Sequence, residues 1–219
     1  MDIAARIEYD VRWKKREEEI LMGKRLKRSA AKLKEVRTLA MAGILIALNI
    51  VLNMFTVPIT PQLRISFGFI ATTAIGMFFG PFVAVPAAAV CDVLGWLIHP
   101  TGPYFYGFTL TAMLNALICS LIFFEEHDRQ RILRETERNG RRWTRLSLLS
   151  LASRILVNGI SNTLLNTFWL SQLYGKTMEA LLPARALKNL IMTVPETVLL
   201  VLALGAVCFA WDQVKKQKA

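Results

Sequence analysis

Arg154, Asn158, Asn162 and Asn166 recur every four residues inside an otherwise apolar stretch. In an α-helix that spacing lays all four along one slowly drifting stripe. Such a stripe must face protein or water, because exposing it to hydrocarbon is costly. It can act as a polar clamp between helices or as part of a ligand site. Two carboxylates, Asp92 and Glu196, lie in other apolar blocks at similar depth, so Arg154 with either one is a candidate intramembrane ion pair. Asp92 can also accept two parallel N–H bonds, the pattern that the edge of an amino-pyrimidinone presents. Thr109, Thr111 and Asn115 offer further hydrogen-bonding groups.

A second set combines rings with cations. Tyr104, Phe105, Tyr106 and Phe108 follow a rigid His99-Pro100-Thr101-Gly102-Pro103 turn, Trp169 and Tyr174 lie further along, and Arg64, Lys176, Arg185 and Lys188 are the cations of the same side. Rings stack and arginine forks grip carboxylates, so together they suit a flat conjugated ligand bearing carboxylates. The bland alternative is an interfacial aromatic belt with cations reaching headgroups. Other chemistry is missing: there is no G-x-x-x-x-G-K-[ST] loop, H-E-x-x-H or G-x-S-x-G, and the two histidines are His99 and His127. ATP is therefore not a direct fuel for this chain. Catalysis would have to rest on an intramembrane carboxylate or asparagine. Cys91, Cys119 and Cys208 all fall in apolar blocks at unrelated spacing and read as small core residues, with no metal or other cofactor implied.

The elements that must position these residues are membrane spans. The 219 residues are 54% hydrophobic and 20% charged, with the two kinds segregated into long blocks, and the mean hydropathy is +0.40. Lipid as solvent explains that segregation, and a span needs about 17–25 apolar residues. The expected fold is all-α, a six-transmembrane-helix bundle. Residues 1–38 form a charged N-terminal extension, an amphipathic helix or a disordered tail, with no cleavable signal. Residues 39–211 form the membrane domain, containing a charged linker at 125–145, and residues 212–219 a basic tail. The spans are expected at Leu39–Val57, Ile65–Phe79 (a short one), Phe82–Ile98, Gly107–Phe124, Leu146–Tyr174 and Leu187–Trp211. Gly80-Pro81 is the natural break between the second and third.

Basic residues set the orientation. Of the 27 Lys and Arg, twelve precede Leu39, seven lie within the linker and three follow Trp211. The positive-inside rule puts both termini and the linker in the cytoplasm of a multi-pass protein of the cell membrane. The net charge of +11 is mostly this signal; the basic runs lack interleaved aromatics, so nucleic acid is not an expected partner and membrane lipid is. In the first span Gly43 and Ala47 stand in small-xxx-small spacing, which lets another helix approach closely, either within the bundle or from outside.

Several stretches then resemble a known family. Leu63-Arg64-Ile65-Ser66-Phe67-Gly68-Phe69, Gly76-Met77-Phe78-Phe79-Gly80-Pro81, Asp92 and Pro100-Thr101-Gly102-Pro103-Tyr104-Phe105-Tyr106-Gly107-Phe108-Thr109 resemble the substrate-binding S components of energy-coupling factor (ECF) vitamin transporters, the folate-specific group above all. Asn166-Thr167-Phe168-Trp169, Leu182-Pro183-Ala184-Arg185 and Lys188-Asn189 fit the same group, and the likeness covers about Leu39–Ala210. Tyr106 stands where the group usually has proline. The resemblance implies a six-helix bundle that takes up folate from outside. It then docks on a shared membrane coupling protein driven by two ATPase subunits and releases its substrate inward. It gives Gly43 and Ala47 to the docking surface. It implies that the pterin pairs with Asp92, Asn162 and Asn166, near Thr109, and stacks on Trp96, Tyr104, Phe108 or Trp169. The glutamate carboxylates meet Arg64, Arg185 or Lys188. An S component for another vitamin, and a membrane enzyme or assembly factor, are the alternatives.

Overall fold

The computed structural model describes residues 20, 22–55, 57–60, 63–100, 102–124, 139–175 and 177–216. A short helix α1 (22–32) leads into α2 (Val36–Met54), followed by α3 (Phe69–Phe79), α4 (Pro81–Ile98) and α5 (Tyr106–Phe123). Helix α6 (Asn139–Leu156) continues through a π-helical segment, Val157–Leu165, into α7 (Asn166–Tyr174), and the chain ends in the long α8 (Met178–Lys216). Among the described residues five helical stretches are long and apolar enough to cross a membrane: Val36–Met54, Pro81–Ile98, Tyr106–Phe123, Trp143–Tyr174 and Leu181–Ala210. The eleven-residue α3 is the shorter sixth, as its short apolar run predicts.

The break at Gly80-Pro81 forms where expected. Gly80 adopts φ 82° and ψ −176°, a region open essentially to glycine alone, and Pro81 starts α4, where its missing N–H costs nothing. Helix α1 closes over this corner. Buried Ser29 donates from Oγ to the Phe79 carbonyl at 2.9 Å and accepts from the Phe82 amide at 3.1 Å. Lys32 Nζ donates to the Phe78 carbonyl at 2.5 Å and lies 5.2 Å from the centre of the Phe124 ring. The extension thus supplies partners that the end of α3 and the start of α4 lack on their own. Gly80→Ala should cost about 1–3 kcal/mol from the backbone alone. Its Cβ would also fall 2.6 Å from Ser29 Oγ and 2.8 Å from the Phe124 ring. Thermal unfolding in detergent measures this, and an unchanged melting temperature would mean the corner does not need glycine.

Three local expectations change. The connection between the first two expected spans is a β-hairpin, β1 (Val57–Thr60) against β2 (Leu63–Ile65), antiparallel with Val57 opposite Ile65 and Pro58 opposite Arg64. Pro58 is accommodated because in a two-stranded sheet both strands are edges and tolerate a missing donor. The loop expected at 175–186 is mostly helix, because α8 begins at Met178 and runs through Pro183. Leu181, Leu182, Ala184 and Ala186 are strong helix formers, and one proline near a helix start removes only one bond. The linker expected at 125–145 is helical from Asn139 onward, and its residues 125–138 lie outside the described residues.

The two halves of the bundle differ. The end carrying α1 holds a dry core of Ala42, Ala74, Met77, Phe79, Ala84, Phe123, Leu146, Leu200 and Leu204. Small residues bring backbones together there: a Cβ on Gly76 would lie 2.9 Å from the Ser120 Cα, so α3 and α5 nearly touch. Toward the hairpin end the same helices turn polar side chains inward.

Candidate functional site

Between the helices in that second half lies a cavity of about 330 Å³. Its lining draws on every principal helix. Helix α2 gives Asn49 and Asn53, the α3 start gives Gly68, Phe69 and Thr72, and α4 gives Cys91 and Asp92. Helix α5 gives Ala112, Asn115 and Cys119; Arg154, Asn162 and Asn166 come from the α6–α7 run, and Arg185, Lys188, Asn189 and Glu196 from α8. Along α8, Arg185 and Glu196 are eleven residues apart, so the cavity runs roughly 16 Å along the bundle at 1.5 Å per residue.

The amide stripe builds one wall. Asn162 Nδ2 donates to Asn158 Oδ1 at 2.7 Å and Asn166 Nδ2 to Asn162 Oδ1 at 3.3 Å. Asn158 Nδ2 in turn donates to Glu196 Oε2 at 2.9 Å and to Thr193 Oγ1 at 3.1 Å. Neighbours four residues apart lie on one face of the helix, so each amide reaches the next, as Asn53 reaches Asn49 on α2. Asn189 Nδ2 reaches Thr163 Oγ1 at 2.8 Å, tying α8 to the same segment.

On the facing wall Asp92 Oδ2 accepts from Thr109 Oγ1 at 2.6 Å, and Thr109 shares a 2.7 Å hydrogen bond with Tyr104 OH. Tyr104 meets Trp96 edge-on at 5.3 Å, and Trp96 Nε1 donates to the Gly102 carbonyl at 2.8 Å. The Gly102 carbonyl therefore anchors an aromatic pair that holds the threonine, which orients the carboxylate. A separate ring cluster joins Phe105, Tyr106, Phe108, Phe168 and Trp169. Trp169 lies across Gly107, where a Cβ would fall 2.5 Å from the indole, and donates from Nε1 to Thr111 Oγ1 at 3.2 Å.

The structure thus brings Asp92, Asn162, Asn166, Arg185 and Lys188 to one cavity. Trp96, Tyr104, Phe108, Thr109 and Trp169 stand outside its lining, behind Asp92 or in the ring cluster. Arg64 lies on β2, and its side chain is outside the described residues, as is Lys176. The candidate ion pair does not form: among the described residues Arg154 meets neither carboxylate. Its Nη2 instead donates to Cys119 Sγ at 3.2 Å, and its guanidinium lies 4.9 Å from the Phe69 ring centre. Glu196 is claimed by Asn158 and Asp92 by Thr109, so depth alone did not pair them. Gly43 and Ala47 are exposed on α2, and a Cβ on Gly43 would meet nothing within 4 Å.

Residues 37–210 match the family described as the ECF transporter substrate-specific component. The chain belongs to this family. It is 34% identical over 160 residues to the folate transporter FolT of Clostridium novyi, which spans 73% of this chain and 83% of that one. To the folate transporter FolT of Leuconostoc mesenteroides it is 35% identical over 163 residues, 72% of this chain and 79% of that one. Among solved structures it is similar to FolT bound with folic acid, with a TM-score of 0.60 and 33% identity over 80% of this chain and 95% of that one. It is accordingly a multi-pass membrane protein built on the substrate-specific component fold, and α1 precedes the part that the family shares.

Sequence reasoning missed several lining residues of this substrate-specific component: Asn49, Asn53, Thr72 and Asn189. Asn49 is buried and donates to the Gly68 carbonyl at 2.7 Å and Thr72 Oγ1 at 2.9 Å, and Asn53 donates to Asn49 Oδ1 at 2.8 Å. Two asparagines four apart in an apolar span were the available signal, the same one that marks Asn162 and Asn166.

Proposed function

We propose that this substrate-specific component binds folate in the polar cavity, entering from the hairpin end. It delivers folate to the cytoplasm after docking on a coupling membrane protein driven by two ATPase subunits. Both termini and the 125–145 linker are cytoplasmic in this reading, with lipid around the spans, 39–211 as the binding domain and the flanking charged segments as its cytoplasmic edges. The observation that carries the reading is the elongated cavity with acceptors along its length and two cations, Arg185 and Lys188, toward the hairpin end. Folate has that polarity: a flat pterin with a donor edge at one end and carboxylates at the other. Asp92, oriented by Thr109, accepts from the pterin, Asn162 and Asn166 bond to it from the π-helical wall, and Arg185 and Lys188 hold the glutamate, assisted by Arg64 from the hairpin. Trp96, Tyr104, Phe108 and Trp169 set the shape of the rim. The folate transporters FolT, at 34% and 35% identity, support the same substrate.

Calorimetry on the purified chain tests this. Folate should bind in the absence of any partner or nucleotide, while biotin, thiamine and riboflavin should not. Binding of another vitamin in place of folate would keep the fold and refute the substrate. Turnover of a ligand by the isolated protein would favour a membrane enzyme instead.

A further inference from the structure

Among the described residues Arg154 is a charge without a counter-charge. It is only 3% exposed, yet among the described residues its hydrogen bonding amounts to one contact, from Nη2 to the Cys119 thiol, a weak acceptor. Its Nε is buried with no partner, and the side chain lines the cavity. A residue kept only to clamp helices would be expected to have its donors satisfied, because a buried charge left unpaired is strongly destabilising. One helical turn from Cys119 on α5, Asn115 also lines the cavity, and its Oδ1 is buried without a partner. An unmade cationic donor and an unmade acceptor therefore sit at neighbouring positions, on the end of the cavity away from Arg185.

The guanidinium is a planar fork, so its complement is two adjacent acceptors in one plane. A 4-oxo-pteridine offers that pair in O4 and N5, arranged like the O6 and N7 of guanine that arginine reads bidentately. The N3–H next to O4 is a donor suited to Asn115 Oδ1, which leaves the 2-amino group as the donor to Asp92. Phe69 beneath the guanidinium gives the flat ring a flat neighbour. We infer that Arg154 grips the O4/N5 edge of the bound pterin at the deep end of the cavity, with Asn115 accepting from N3–H. This rests on folate being the ligand, and it makes Arg154, together with Asn115, the pair that distinguishes a 4-oxo from a 4-amino ring.

Calorimetry on the full chain in detergent compares folate with aminopterin, which carries an amino donor in place of O4, and with 5-deazafolate, which has C–H in place of N5. Wild type should prefer folate over aminopterin by about 10- to 100-fold, and over 5-deazafolate by a smaller factor. Arg154→Met should weaken folate by a comparable factor and lower the folate-to-aminopterin ratio to the remainder that Asn115 keeps by accepting from N3–H, which aminopterin lacks, with Arg154→Lys in between. Unliganded Arg154→Met should melt no lower than wild type, since it removes an unpaired buried charge. Equal affinity of wild type for folate and aminopterin overturns the inference while leaving folate as ligand, and that comparison decides the matter even if Arg154→Met does not fold. A lower unliganded melting temperature with an unchanged ratio makes Arg154 a structural clamp and also overturns it. Wild type that binds neither compound refutes the folate reading and the inference together.

Discussion

Replacing Arg185 and Lys188 together by alanine should weaken folate by roughly 100-fold or more while leaving pteroate, which lacks the glutamate, within a few-fold. Each charge-assisted contact is worth about 1.5–3 kcal/mol, or about 10- to 150-fold in affinity. The two residues are three apart on α8, which puts them on one face, and both line the cavity. Their losses should fall short of additive, because either cation can partly hold a carboxylate that the other has released. Pteroate has no such carboxylates, so it loses nothing when the cations go. Calorimetry with both ligands on the double variant, with circular dichroism to establish the fold, checks this. Equal weakening of the two ligands would mean that the cations shape the cavity and do not hold the glutamate. Arg64→Ala run alongside asks whether the hairpin contributes a third charge.

What the sequence made legible follows from which signals are local. Span lengths, the Gly80-Pro81 break and the short second span were readable, because hydrophobic length and proline stereochemistry act within a few residues. The hairpin was not, since Pro58 gives the wrong local signal and the pairing with Arg64 is settled across the turn. Asp92 and the Asn162/Asn166 pair, which line the cavity, stood out in the sequence because polar groups in an apolar span are costly and need a reason. Their partners were not: whether Glu196 meets Arg154 or Asn158 depends on how α8 is rotated against the π segment, and no spacing within one helix encodes that. The π turn that the bonded amide ladder runs through has no sequence signature here. Ser29 was hidden for the same reason, since a serine in a charged extension looks solvated until the corner it caps is folded.

Gly43→Leu or Ala47→Leu should abolish folate uptake in cells that hold the coupling protein and its ATPases, while the purified variant still binds folate within a few-fold of wild type. Both positions are exposed on α2, and the space over Gly43 is open. Leucine therefore adds bulk to an outer surface without disturbing the packing beneath it. The ligand side of α2 is different: Asn49 is two residues from Ala47, about 200° around the helix, and there it holds Gly68 and Thr72. Bulk at 47 thus points away from the cavity wall. A partner helix that must come close enough for backbones to touch is excluded by one leucine, because small residues at this spacing are what permit the approach. Co-purification with the coupling protein, read beside calorimetry on the isolated variant, separates the two faces. Loss of assembly with folate affinity kept is the expected result. Loss of folate affinity with assembly intact would place this face inside the bundle's own packing and move the docking surface elsewhere.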